Sequence, residues 1–142
     1  MELLETYLDL TVFSILGLMA FVATWLSIER YLSLRKFDFK KYEHIELMTI
    51  DATKNLTTLS IIGANAPYVG LVGTVLGIMV TFHTMGLSDN VDTGQIMVGL
   101  SLALKATAGG IGLAIPTIIA YNSYMRKVEV LQSQFTAYQS LN

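Results

Sequence analysis

Three stretches of this chain are long and apolar enough to cross a lipid bilayer, at roughly residues 10–28, 59–85 and 95–121. A spanning helix needs about 20 mostly apolar residues to cross a hydrocarbon core about 30 Å thick. Lys105 is the only Lys, Arg, Asp or Glu within the three stretches. Because lipid offers backbone groups no hydrogen-bonding partner, each stretch must be helical. The sequence therefore predicts an all-α integral membrane protein, with three transmembrane helices in a single domain covering residues 1–142.

The segments that flank these stretches carry nearly all of the charge. Residues 1–9 form an acidic leader, which we expect to be a brief amphipathic helix at the membrane surface. Residues 29–55 mix acidic and basic side chains and are predicted to be a partly helical loop, and a turn-rich link follows at 88–93. In the tail, 123–142, the spacing of apolar residues predicts an amphipathic helix that continues out of the membrane; they are Val128, Leu131, Phe135 and Tyr138.

The basic residues are concentrated in two of these segments. Eight of the nine Lys and Arg residues lie in the loop 29–55 and in the tail, and the ninth is Lys105. The leader and the link carry acidic residues only. By the positive-inside rule, the loop and the C-terminus face the cytoplasm, and the N-terminus and the link face the outside.

The composition argues against several classes of function. The net charge of −2 lacks the basic excess that is typical of nucleic-acid binding. The chain has no cysteine, so disulfides and cysteine-bound metals are impossible. His44 and His83 have no partner at metal-ligand spacing, and no nucleophile–base pair is visible. We therefore expect neither an enzyme nor a protein that holds a metal or a cofactor.

The second and third stretches each carry a line of small or hydroxylated residues along one face. In the second stretch the line alternates spacings of four and three; its members are Gly63, Pro67, Gly70, Thr74, Gly77 and Thr81. In the third stretch its members are Gly99, Ala103, Ala106, Gly110 and Ala114. Small residues allow membrane helices to approach closely. Since a three-helix chain has few partners for two such faces, we expect an oligomer or a lined cavity, with helix kinks at Pro67 and Pro116.

Lys105 is a charge at membrane depth. It lies about ten residues into its stretch, roughly 15 Å deep at 1.5 Å per residue, so its side chain is too short to reach the headgroups. An isolated charge there costs roughly 2.5–3.5 kcal/mol or more, so Lys105 needs a water-filled cavity or an acid. The three stretches contain no Asp or Glu, so any such acid is expected from another subunit. A lysine in a wet lumen with no specific role is the alternative.

Two long strings resemble the ExbB/TolQ/MotA family of proton-channel subunits, and within it the ExbB branch. They are APYVGLVGTVLGIMVTF, residues 66–82, and LKATAGGIGLAIPTIIAYN, residues 104–122. The order of the segments is similar too: an outer N-terminus, one helix, a cytoplasmic loop and two further helices. The chain resembles a short form, because its loop is much shorter than in the longer members.

The resemblance implies a ring-shaped homo-oligomer, pentameric in the family, in the bacterial inner membrane with the N-terminus in the periplasm. The implied partners are membrane lipid, an ExbD-like single-helix protein with an intramembrane aspartate, and a TonB-like protein. The implied function is a proton-channel subunit that couples the proton motive force to TonB-dependent nutrient import across the outer membrane. A TolQ-like subunit serving envelope integrity and a non-conducting membrane scaffold are the alternatives.

The resemblance also assigns individual residues. Thr74 and Thr107 match the threonines that line the lumen and its proton pathway. The intramembrane glutamate of the family falls at Leu102, so titration is left to the aspartate of the partner or to Lys105. At 100° per residue, Lys105 and Thr107 are about 200° apart and cannot line one surface. We therefore expect Thr74 and Thr107 to line the lumen, and Lys105 to contact a neighbouring helix or subunit.

Overall fold

The computed structural model describes residues 2–87, 89–90 and 92–141. This part of the chain forms four α-helices, which are α1 (Glu2–Arg35), α2 (Ile45–Ala52), α3 (Leu56–Leu87) and α4 (Thr93–Leu141), with a 3₁₀ turn at Phe39–Lys41. Helices α1, α3 and α4 are long and apolar enough to cross a membrane, which confirms the prediction of an all-α chain with three such helices. Met1 of the predicted leader, two residues of the link (88 and 91) and the final residue of the tail lie outside the described residues.

The acidic leader is not a separate surface helix, so that prediction was wrong. Helix α1 runs unbroken from Glu2 to Arg35. The leader contains neither proline nor glycine to stop the helix, and acidic side chains are favourable near a helix N-terminus. As a result, Glu5 and Asp9 belong to the same rigid helix as the first apolar stretch.

The tail helix is likewise continuous with the third spanning helix. Helix α4 has 49 residues and is therefore roughly 74 Å long at 1.5 Å per residue. In its tail portion Val128, Leu131 and Phe135 are buried. Tyr138 is more exposed, and its ring packs edge-on against Phe39 with the ring centroids 6.0 Å apart. One face of the tail is thus packed against the rest of the chain.

The large apolar side chains form a core at one end of the bundle, which we call the α2 end. The largest fully buried side chains all lie there; they are Met48, Leu56, Leu59, Val128 and Phe135. They come from α2, the start of α3 and the tail of α4. Farther along the bundle, the contacts between α3 and α4 are made by glycine, alanine and threonine instead. This division suits a chain that is packed by the hydrophobic effect in water and by close helix approach in lipid.

Helices α1 and α4 run in the same direction, and two contacts fix their register. Near one end, Val12 packs beside Ala106 where both approach Gly73. Near the α2 end, the hydroxyl of Tyr124 donates a 2.5 Å hydrogen bond to the backbone oxygen of Ser27. Moving from Val12 to Ser27 on α1 therefore corresponds to moving from Ala106 to Tyr124 on α4. Helix α3 is antiparallel to both.

Candidate functional site

The two lines of small residues pack against each other within one chain. A Cβ atom added to Gly70 would lie 2.5 Å from the backbone oxygen of Ala106, and one added to Gly110 would lie 3.1 Å from the Cα of Gly70. At Gly77 it would lie 2.9 Å from the Cβ of Ala103. These separations are shorter than ordinary contacts, so close approach depends on glycine at each position. The expectation of an oligomer or a lined cavity assumed that a three-helix chain has few partners for two such faces. Because the two faces are partners of each other, they give no argument for an oligomer by themselves.

The remaining packing residues lie above and below this contact. Gly99 faces Thr81, whose hydroxyl oxygen would lie 2.8 Å from an added Cβ atom. Pro67 and Pro116 both lie inside continuous helices, Pro67 half-buried and Pro116 exposed. Each proline lacks an N–H group and so frees the carbonyl four residues earlier from its helical hydrogen bond. Both prolines thus interrupt the hydrogen-bond ladder without ending their helices.

Thr74 and Thr107 meet at the interface between α3 and α4. Thr74 is 7% exposed, and its hydroxyl is hydrogen-bonded to that of Thr107. The Thr74 oxygen also lies 2.8 Å from the backbone oxygen of Ala103 and 3.2 Å from that of Gly70. A hydroxyl has one proton to donate and two lone pairs, so Thr74 can donate to Ala103 while accepting from Thr107. In this arrangement the Thr107 oxygen can still accept a hydrogen bond, so the pair can orient a water molecule or another donor group.

The threonine pair borders the side of α3 and α4 that α1 leaves uncovered. The residues just before the pair, Gly73 and Ala106, face Val12 of α1. Thr74 follows Gly73 and Thr107 follows Ala106, so each threonine side chain is turned about 100° around the helix axis from the residue that faces α1. Thr107 is half-buried. The apolar side chains nearby are 44–58% exposed; they are Leu71, Leu104 and Ile111. This side of the chain is therefore an apolar surface with the Thr74–Thr107 hydroxyl pair at its base.

Lys105 lies on the other side of α4. Its side chain is exposed, whereas the next two residues, Ala106 and Thr107, are buried and half-buried. In the described part of the chain the ion pairs are Glu29 with Arg30 and Arg126 with Glu129, and neither includes Lys105. The structure thus brings Thr74 and Thr107 together and keeps Lys105 apart from them, as the helical angle requires.

A buried polar cluster at the α2 end was not recognised in the sequence. Arg30 is 3% exposed and donates two 2.6 Å hydrogen bonds to the carboxylate of Glu29. Its other nitrogen lies 3.1 Å from the backbone oxygens of Asp51 and Ala52. These carbonyls are at the C-terminal, partially negative end of α2, where a cation is favourable. Asn55, in the left-handed region with φ of 68°, donates a 3.2 Å hydrogen bond to Glu29.

This cluster ties α2 to α1 and strongly favours ionised Glu29. The hydrogen bonds from Arg30, helped by Asn55 and Ser33, lower the pKa of the Glu29 carboxyl, just outside the first apolar stretch, to about 2. Nearby, the phenol of Tyr42 donates a 2.7 Å hydrogen bond to the carboxylate of Asp51, which raises the pKa of Tyr42. Because Arg30 binds backbone oxygens of α2, no side-chain motif in the sequence marks it.

Comparison with known proteins agrees with the resemblance of the two strings. The profile of the MotA/TolQ/ExbB proton channel family matches residues 18–137. Biopolymer transport protein ExbB of Helicobacter pylori is 56% identical over 135 residues, which cover 95% of this chain and 93% of that protein. The protein of the same name from Aquifex aeolicus is 45% identical over 128 residues, covering 90% and 86%.

A third relative comes from another branch. The Tol-Pal system protein TolQ of Pseudomonas aeruginosa is 38% identical over 81 residues, which cover 57% of this chain and 35% of that protein. The two ExbB proteins from Helicobacter pylori and Aquifex aeolicus align along nearly the whole chain. From the profile match and these relatives, the chain belongs to the MotA/TolQ/ExbB proton channel family.

Proposed function

We propose that this chain is the proton-channel subunit of an inner-membrane motor that couples the proton motive force to TonB-dependent nutrient import across the outer membrane. The observation that carries the proposal is the Thr74–Thr107 hydroxyl pair at the base of an apolar surface that α1 leaves uncovered. The names of the ExbB relatives support a role in transport.

In the proposed assembly, copies of the chain form a ring, pentameric as in the family, with α3 and α4 facing the lumen and α1 facing lipid. The exposed apolar side chains of α1, such as Phe21 and Trp25, suit a lipid-facing position. The lumen would hold the helix of an ExbD-like partner. Threonine hydroxyls do not ionise in the working pH range, so the partner has to supply the titrating carboxylate beside Thr74 and Thr107.

The charge distribution supports an orientation with the α2 end in the cytoplasm. Eight of the nine basic residues lie in the loop 29–55 and the tail. The N-terminus then faces the periplasm, where a TonB-like protein would receive the motion. Each proton that crosses 100 mV releases about 2.3 kcal/mol, so a few protons can supply a mechanical step.

Proton flux into liposomes tests the proposal. The chain is reconstituted with its ExbD-like partner, and flux is compared between the native chain and the variant Thr74→Val, which keeps the shape and removes the hydroxyl. We expect a loss of about tenfold or more, equivalent to about 1.4 kcal/mol in the barrier. Thr84→Val is the matched control, because within the described residues the Thr84 hydroxyl donates to the backbone oxygen of Val80 in its own helix, at 2.8 Å. Undiminished flux in Thr74→Val would remove the hydroxyl pair from the pathway.

The TolQ relative supports a second candidate, a subunit that energises envelope integrity. Co-purification decides between the two, since an ExbD-type partner supports import and a TolR-type partner supports the envelope role. A non-conducting scaffold would show no proton flux with either partner.

A further inference from the structure

Helices α1 and α4 are neighbours on the side of α4 that carries Lys105. A Cβ atom added to Gly109 of α4 would lie 3.7 Å from the ring of Phe13 and 3.5 Å from the side chain of Leu16. These are ordinary contacts, so Gly109 and Phe13 are neighbours across the seam between the two helices. Because α1 and α4 are parallel, the residues one turn earlier on each helix, Asp9 and Lys105, hold the equivalent position one turn nearer the N-terminal ends.

The residues that surround Asp9 place it at a similar position along the bundle axis. Asp9 is half-buried and lines a narrow crevice between α1 and the α3–α4 pair, together with Leu102 and Ala103. Asp9 therefore lies level with Leu102 and Ala103, the eighth and ninth residues of the third apolar stretch. No Asp or Glu lies within the three apolar stretches, but the packing of α1 against α4 brings Asp9, just before the first stretch, to the level of residues in the third.

The lysine side chain also extends in the right direction. Long side chains on a helix point back towards its N-terminus, so the Lys105 ammonium extends towards the level of Leu102 and Asp9. Asp9 is about one turn away along the axis. The two side chains form no ion pair in this structure, so a change of side-chain rotamer has to bring the Lys105 ammonium to the Asp9 carboxylate. Glu5, which lines the same crevice, is about 6 Å farther along α1 and is out of reach.

We propose that Asp9 is the acid that balances Lys105, through an ion pair between α1 and α4 within one subunit at membrane depth. Two opposite charges in contact avoid the cost of leaving either one alone in a low-dielectric environment. Asp9 is then a positioning residue, because it holds Lys105 against α1 and away from the side with the Thr74–Thr107 pair. The inference rests on helix register and does not depend on proton conduction.

A double-variant cycle on the purified chain in lipid nanodiscs tests the pair, with the thermal unfolding midpoint as the readout. Asp9→Asn and Lys105→Met are each expected to lower the midpoint by roughly 3–6 °C. The double variant should fall no lower than the worse single variant, because the second change removes a charge that is already unpaired. Glu5→Gln combined with Lys105→Met is the matched control, and its effects should add. Additive effects of the Asp9 and Lys105 variants would overturn the proposal.

Two further measurements separate an ion pair from simple packing. Asp9→Glu should keep the native midpoint, and exchanging the charges in Asp9→Lys with Lys105→Asp should recover most of the loss. The chain has no cysteine, so Asp9→Cys with Lys105→Cys can be joined by a short bismaleimide without side reactions. Cross-linking within the monomer is expected. A cross-linked dimer would place the two residues in different subunits and contradict the proposal.

Discussion

Replacing Gly70 with alanine is expected to force α3 and α4 apart. The added Cβ atom would lie 2.5 Å from the backbone oxygen of Ala106 and 3.1 Å from the Cα of Thr107. A relaxed contact between carbon and oxygen is about 3.4 Å, so the helices must separate by about 0.9 Å at this point. Both opposing atoms belong to the backbone and cannot rotate away. Overpacking of this kind costs about 1–3 kcal/mol, partly offset by the higher helix propensity of alanine, about 1 kcal/mol.

Gly112→Ala is the matched control, because nothing lies within 4 Å of an added Cβ atom there. Both substitutions gain the same helix propensity, so the difference between them isolates the contact with α4. We expect Gly70→Ala to unfold about 3–9 °C below Gly112→Ala, measured by thermal unfolding of the purified protein in detergent. Equal midpoints for the two variants would refute the conclusion that close approach at Gly70 holds the helices together.

Three further predictions concern residues at the α2 end. Arg30→Met should destabilise the chain by about 1–3 kcal/mol, since two carbonyls of α2 lose a charged donor, and a midpoint equal to the native one would contradict the buried cluster. Folding lowers the pKa of Glu29 from 4.5 to about 2, so its stabilisation is complete above pH 4.5 and is lost as the pH falls towards 2. Unfolding midpoints from pH 6 to 2.5 should therefore converge between the native chain and Glu29→Gln; a constant gap would contradict this. Tyr124→Phe removes the hydrogen bond to Ser27 and should cost about 0.5–1.5 kcal/mol by the same measurement, whereas no loss would make that bond dispensable.

The existence of the three long helices could be predicted, because an apolar stretch of spanning length has few other ways to satisfy its backbone in lipid. Their ends could not be predicted. A charge such as Asp9 ends an apolar stretch but does not end a helix, because the backbone hydrogen bonds continue through it. Hydropathy therefore places a helix boundary at residue 9 where the structure has none, because α1 continues unbroken through it.

The candidate site was partly predictable for a related reason. Periodicity shows which residues share a face of one helix, so the lines through Gly70 and Gly110 were visible in the sequence. It does not show which face meets which, and the pairing of these two lines with each other required the structure. The assignment of Thr74 and Thr107 to a lumen remains a proposal. The role of Arg30 could not be predicted from the sequence, because its partners in α2 are backbone oxygens and no side-chain motif marks them.

Helix α4 is continuous over 49 residues, so a small tilt near one end displaces the other end by several ångströms. From Thr107 to Tyr138 the helix covers 31 residues, which is about 46 Å at 1.5 Å per residue. Over that distance a tilt of only about 5° at the threonine pair moves the far end by about 4 Å, close to the rise of three residues. A small rearrangement beside Thr107 would thus arrive at the α2 end as a displacement large enough to repack Tyr138 against Phe39. Thr107 and Tyr138 are thus joined by one continuous helix, and Pro116 between them, where the hydrogen-bond ladder is interrupted, is the position at which that helix bends most easily.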